Sequence, residues 1–96
     1  MSNEYPKISV IVPAYNVELY IEAAIDSLLN QSEAFYEIIV INDGSTDGTK
    51  EKLQKYEKIL MVKIYHTENY GLGMARNIGI KLASGDFIYF FETLTL

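Results

Sequence analysis

Four short apolar runs alternate along the chain with stretches of helical period. Ile8–Val12 (ISVIV) reads as a first buried strand, with Pro13 ending it because it brings no backbone donor. Ala14, Tyr15 and Asn16 form the connection, and Asn16 or a neighbour caps the next helix. From Val17 to Asn30 the apolar positions Val17, Tyr20, Ile21, Ala24, Ile25, Leu28 and Leu29 share one helical face. Glu18, Glu22 and Asp26 occupy polar positions, Glu18 close to the positive helix end. Glu37–Ile41 (EIIVI) is a second strand, β-branched enough to be buried on both faces. Asn42, Asp43 and Gly44 stop it, and Ser45 and Thr46 are suited to cap a helix over about Asp47–Glu57. That helix is rich in lysine and glutamate, directs Leu53 and Tyr56 inward, and reads as an outer helix.

Leu60–Tyr65 (LMVKIY) is a third strand, and Lys63 makes it a candidate sheet edge. A polar connection, His66–Gly73, leads to a helix over Met74–Ala83 that directs Met74, Ala75, Ile78 and Leu82 inward. Gly79 permits close approach there, and Ser84-Gly85 is a plausible C-cap. Phe87–Phe91 is a fourth strand. Strands and helices in strict alternation predict an α/β fold: a Rossmann-like, three-layer α/β/α domain on a parallel sheet, in the order 3-2-1-4. Residues 1–96 show no repeat, low-complexity segment or linker, so one domain is expected.

Composition narrows the partners. The net charge of −5 supplies no basic stripe to displace phosphate counterions, so nucleic acid is not an expected partner. There is no cysteine, which excludes disulfides and thiolate metal sites. No run approaches the roughly 18 apolar residues of a membrane helix, and MSNEYPK is not a signal-peptide start. A cytoplasmic domain is the expectation, with membrane association left open for a longer parent chain. Asn30-Gln31-Ser32 fits a glycosylation sequon, which we read as chance.

Candidate chemistry gathers at the carboxyl ends of the strands, where open α/β sheets bind ligands. The first strand is followed by Pro13-Ala14-Tyr15-Asn16, not a glycine triplet, and no strand is followed by a P-loop lysine. Dehydrogenase and kinase readings are therefore poor. The stretch from Asp43 to Gly48 resembles a calcium loop, but its twelfth position is Gln54 and a strand replaces the entering helix. Asp43 serves either as a turn former or as an acceptor for a base imide or ribose hydroxyl. Tyr15 is either loop packing or a stacking face. Arg76, the only arginine, makes a surface ion pair or meets a carboxylate or phosphate. His66, with no second ligand spaced for a metal, reads as structural.

Three segments in order decide among these alternatives. ISVIVPAYNVELYIEAAIDSLLNQ, EIIVINDGSTDGT and ENYGLGMARNIGIKLASGDFIYFF together resemble the nucleotide-binding half of a family 2 glycosyltransferase of GT-A fold. The resemblance runs from Ile8 to about Phe91. It implies inverting transfer of a sugar from a nucleoside diphosphate sugar, usually a UDP-sugar. It implies that Pro13 and Tyr15 lie beside base and ribose, that Asp43 contacts the base, and that Glu18 supports the loop. Asn69, Gly71, Arg76, Asn77 and Gly79 match the family's N-x-G-x-x-x-A-R-N-x-G signature, with Arg76 the expected contributor to ligand-site electrostatics.

The match then breaks. Where the family carries a D-x-D type motif for Mg²⁺ or Mn²⁺, this chain has Glu92-Thr93-Leu94. Glu92 keeps a carboxylate, while Leu94 offers no side-chain oxygen. The acceptor half and its general base are not in these residues, so the expectation is a truncated form that does not transfer sugar alone. Phe87–Phe91 would then be an open edge, from which a homo-oligomer is expected.

Overall fold

The computed structural model describes residues 6–93. Its strands are β1 (Ile8–Ala14), β2 (Glu37–Asp43), β3 (Val62–Thr67) and β4 (Phe87–Phe90). They form one parallel sheet in the order β3-β2-β1-β4. Helices α1 (Ile21–Leu29), α2 (Thr49–Leu53) and α3 (Leu72–Leu82) make the connections. The predicted fold class and strand order are thus those observed, with β3 and β4 at the edges.

Alternation along the strands sorts the two faces. Val10, Val12 and Ala14 of β1 and Ile38 and Val40 of β2 meet Ile21, Ile25 and Leu28 of α1 and Leu53 of α2. Each fully buried aliphatic side chain in this layer contributes about 1.5–3 kcal/mol. On the opposite face, among the described residues, α3 covers the sheet, and Ala75 packs with Ile39 and Ile41. All seven residues of β2 are buried, as a central parallel strand covered on both sides requires.

Several element boundaries differ from those read in the sequence. β1 runs through Pro13 to Ala14. Pro13 shares the alternation of Ile11, whose carbonyl accepts from Phe91 on the β4 side, and the β1–β4 ladder stops at Ile11–Phe90. The missing donor therefore points where no partner strand needs it. α1 begins at Ile21, not Val17; residues 18–20 form a turn in which Tyr20 N and Ile21 N both donate to the Val17 carbonyl, while Val17 N donates to Thr49 Oγ1 (2.9 Å) and Glu18 N to Asp47 Oδ2 (3.2 Å). Tyr20 is exposed rather than inward. α2 is capped through Asp47, whose Oδ1 accepts from Thr49 N (2.9 Å), and not by Ser45 or Thr46. It tightens into a 3₁₀ turn, Gln54–Tyr56, that buries Tyr56 as expected. Tyr56 is held against α1 by donating to Asp26 (2.8 Å). Burial first, and the Asp26 carboxylate second, raise its pKa.

α3 also departs from expectation. Ala75 and Gly79 face the sheet, whereas Met74 and Leu82 are exposed. A Cβ on Gly79 would lie 2.5 Å from Ile11 Cγ2, so glycine is what lets the helix axis approach β1. Nor does Ser84-Gly85 form a left-handed cap; α3 ends at Ala83 in extended conformation. The helix is instead held at both ends by carboxylates of β2. Glu37, at one end of the strand, accepts from Ser84 N (2.6 Å), Ser9 Oγ (2.6 Å) and Lys63 Nζ (2.7 Å). Asp43, at the other, accepts from Tyr70 N (2.8 Å) and Gly71 N (2.7 Å). Six strand steps and the thirteen helical steps from Gly71 to Ser84 both span roughly 20 Å, so the two clamps match in length. Lys63 therefore marks the edge strand, as read, but its ammonium reaches inward to the neighbouring strand.

Candidate functional site

A cleft of about 310 Å³ opens at the carboxyl ends of β1 and β2, beside the N-terminus of α3. β1 and the turn after it contribute Pro13, Ala14, Tyr15 and Val17; β2 contributes Asp43. Asn69, Gly71, Leu72 and Ala75 come from the entry to α3, and Glu92 and Thr93 from the segment after β4. The sequence-predicted Pro13, Tyr15, Asp43 and Glu92 are thus brought together; Glu18 and Arg76 stand behind the lining. Leu94 lies outside the described residues.

Asp43 is 3% exposed, and its carboxylate is already engaged. Oδ1 accepts from Thr67 Oγ1 (2.9 Å) and Tyr70 N, while Oδ2 accepts only from Gly71 N. A carboxylate has about four acceptor positions, so Oδ2 retains one that a ligand donor can use. Asp43 is therefore more than a turn former: it ties β3 and the α3 entry to β2. Its neighbour Asn42 stands 3.0 Å from His66 Nδ1, which gives His66 the structural place expected of it.

Side chains lock the β1–α1 and β2–α2 loops together. Asn16, left-handed at φ 52°, accepts on Oδ1 from Thr46 N (2.7 Å) and Asp47 N (3.2 Å), and its own N–H donates to Ser45 Oγ (3.0 Å). Glu18 accepts from Gly48 N (2.5 Å), so its carboxylate supports the second loop from outside the cleft. Burial works to raise the pKa of Asp47, but bonds from Thr49 and from the Glu18 N–H outweigh it and hold the pKa low. This clasp fixes Tyr15, adjacent to Asn16, over the cleft with its ring exposed.

At the mouth, Arg76 Nη2 donates to Glu92 Oε2 in an ion pair, and the guanidinium lies 5.8 Å from the centroid of the Phe90 ring. Sequence reasoning named both residues without pairing them. It missed Leu72, Ala75 and Thr93 as lining, although Gly71 at φ 101° signals the sharp entry that brings Leu72 and Ala75 to the cleft. Among the described residues no three histidine, aspartate or glutamate side chains are grouped to hold a metal. Among the described residues Asp43 and Glu92 are the only carboxylates in the lining; Asp43 takes three donors, from Thr67 Oγ1, Tyr70 N and Gly71 N, and Glu92 is paired with arginine. That donor set does not fit a Mg²⁺ or Mn²⁺ site of the kind the resemblance implies.

A parallel α/β sheet with a cleft at the carboxyl ends of its central strands defines a ligand-binding α/β domain. Its family is specific: the profile of Glycosyl transferase family 2 matches residues 9–92, and the chain belongs to that family. It is 47% identical over 88 residues to the uncharacterized glycosyltransferase EpsJ of Bacillus subtilis, covering 91% of this chain and 26% of EpsJ. It is 41% identical over 88 residues to the glycosyltransferase GlyA of Streptococcus pneumoniae, covering 91% of this chain and 13% of GlyA. Among solved structures, S. aureus TarS 1–349 in complex with UDP-GlcNAc superposes with a TM-score of 0.79 at 39% identity, over 91% of this chain and 26% of that one. The mannosyltransferase PcManGT from Pyrobaculum calidifontis, in complex with GDP-Man and Mn²⁺, gives 0.83 at 26% identity, over 95% and 28%. The chain thus spans well under half the length of the relatives it matches.

Proposed function

We propose that these residues are the donor-binding half of an inverting glycosyltransferase and hold the base and ribose of a UDP-sugar in the cleft beside Asp43. The observation that carries this reading is the free acceptor position on Asp43 Oδ2, in a cleft walled by the exposed Tyr15 ring and Pro13. A uracil imide donates to such an acceptor, and a ring gives the base a flat face. The volume, about 310 Å³, is at the small end of ligand clefts and suits a nucleoside rather than a whole nucleotide sugar. The UDP-GlcNAc complex of TarS supports the same ligand class. Calorimetric titration with uridine and UDP tests it. Asp43→Asn presents an amide with one acceptor oxygen in place of two, and should weaken uridine at least 10-fold; wild-type binding retained in a folded variant overturns the assignment.

Both lining carboxylates are already engaged, Asp43 by Thr67, Tyr70 and Gly71 and Glu92 by Arg76, which supports the reading that the 96-residue chain binds donor without transferring sugar. Turnover above blank with UDP-sugars contradicts this. The poor metal donor set also favours a second reading, a catalytically silent nucleotide-binding module, which nucleotide binding unaccompanied by activity in any longer form would select. We further propose that β4 pairs with its counterpart in a second copy. Among the described residues β4 is an edge strand whose outer side presents backbone donors and acceptors, Phe87, Ile88, Tyr89 and Phe90 beside it are exposed, and like edges meeting across a two-fold axis are self-complementary. Light scattering that gives a monomer at high concentration refutes the pairing.

A further inference from the structure

The mouth of the cleft holds one cation and one anion, bound to each other. Arg76 and Glu92 side chains are 39% and 41% exposed, so both are within reach of a ligand. Glu92 lines the cleft and Arg76 stands directly behind it. A diphosphate extending from a nucleoside seated at Asp43 would bring two negative charges toward this mouth, where an unopposed glutamate repels it and an arginine attracts it. The Phe90 ring, against which the guanidinium lies, keeps Arg76 in place when Glu92 is withdrawn. Among the described residues no group of three carboxylate or histidine side chains stands there to seat a divalent cation.

We propose that Arg76, rather than a divalent cation, supplies the positive charge for the diphosphate, and that Glu92 is its built-in counter-ion. Nucleoside diphosphate binding is then independent of Mn²⁺ and competes with the Arg76–Glu92 pair. This rests on the donor-site reading above but concerns the opposite end of the ligand.

Calorimetry with uridine and UDP, each with Mn²⁺ and with EDTA, separates the two. For the native chain, UDP affinity should be the same in both media. Glu92→Gln removes the competing charge and should tighten UDP about 5-fold more than it changes uridine, the scale of an exposed ion pair. In Arg76→Gln/Glu92→Gln that gain should vanish. Mn²⁺ that tightens UDP 10-fold or more, an effect lost in Glu92→Gln, overturns the inference by making Glu92 a metal ligand. So does a Glu92→Gln variant whose UDP affinity is unchanged. UDP binding with these Glu92 effects but without uridine binding overturns the base-pocket reading and leaves this one standing; failure of both ligands to bind overturns both. A nucleotide-free check uses Mn²⁺ line broadening in amide spectra. Selective broadening at Glu92 and Thr93 contradicts the proposal, and uniform, weak broadening agrees with it.

Discussion

Replacing Glu37 by glutamine should convert the clamp at the C-terminal end of α3 from a charged one to a neutral one without changing its shape. Glu37 is 1% exposed and takes three donors, from Ser9, Lys63 and Ser84. Hydrogen bonds to a charged group are worth about 1 kcal/mol more than neutral ones. The Lys63 contribution is discounted, because that side chain is 43% exposed and water can solvate it. The net cost is then about 2 kcal/mol at pH 7, out of the roughly 5–15 kcal/mol that stabilise a domain. Glu37→Ala should cost about 4 kcal/mol, because it leaves the Ser9 hydroxyl and Ser84 N–H without an acceptor.

The effect depends on pH with a defined sign. Burial pushes the Glu37 pKa up, but the bonds from Lys63, Ser84 and Ser9 overrule it and hold it below the ordinary 4.5. A depressed carboxylate pKa gives stability that is fully present above the unfolded-state value and lost as pH falls through the folded-state value. The difference between wild type and Glu37→Gln should therefore be constant at neutral pH and shrink once the pH drops below about 4.5. Urea unfolding followed by circular dichroism at pH 7, 5 and 3.5 measures it, and taking the difference cancels the other carboxylates. Parallel curves down to pH 3.5 would refute the reasoning, as would a Ser84 amide whose hydrogen exchange is the same in both proteins.

Two further substitutions probe packing and loops. Gly79→Ala gains about 1 kcal/mol of helix propensity but forces a methyl against Ile11, for a net loss of about 1–2 kcal/mol. In the double variant with Ile11→Ala the two costs should be less than additive in urea denaturation; additivity would show that the contact is not the cause. Asn16→Ala should destabilise by about 2 kcal/mol through lost bonds to the Thr46 and Asp47 N–H groups and a left-handed backbone. Asn16→Gly should recover only the backbone part, and a glycine variant as stable as wild type would contradict the clasp.

The strand order was legible because each strand is a compact β-branched or aromatic run and each connection is long enough to hold a helix. What stayed hidden depends on partners distant in sequence. The bonds that anchor the turn ahead of α1 run from Val17 N and Glu18 N to Thr49 and Asp47, some 30 residues on. The face of α3 was misread because apolar size was taken as the inward signal. The helix approaches the sheet through its smallest residues, Ala75 and Gly79, which leaves Met74 and Leu82 at the flanks. At the site, alternation and the sheet edge put Asp43 and Tyr15 in place. The engagement of Asp43 by the Tyr70 and Gly71 amides, 27 and 28 residues later, leaves no mark in residue types, since backbone donors exist everywhere.

The double clamp on α3 also limits how this domain can change length over evolutionary time. One residue inserted in α3 lengthens it by about 1.5 Å and turns everything beyond it by about 100°. Ser84 would then miss Glu37, or Ala75 and Gly79 would leave the sheet. Between Lys58 and Met61, by contrast, Leu60 is exposed and the turn ahead of β3 lies at the sheet's outer edge, so an extra residue there disturbs neither clamp. Length variation compatible with this fold therefore belongs in the α2–β3 connection, while the span from Gly71 to Ser84 behaves as a ruler cut to the length of β2.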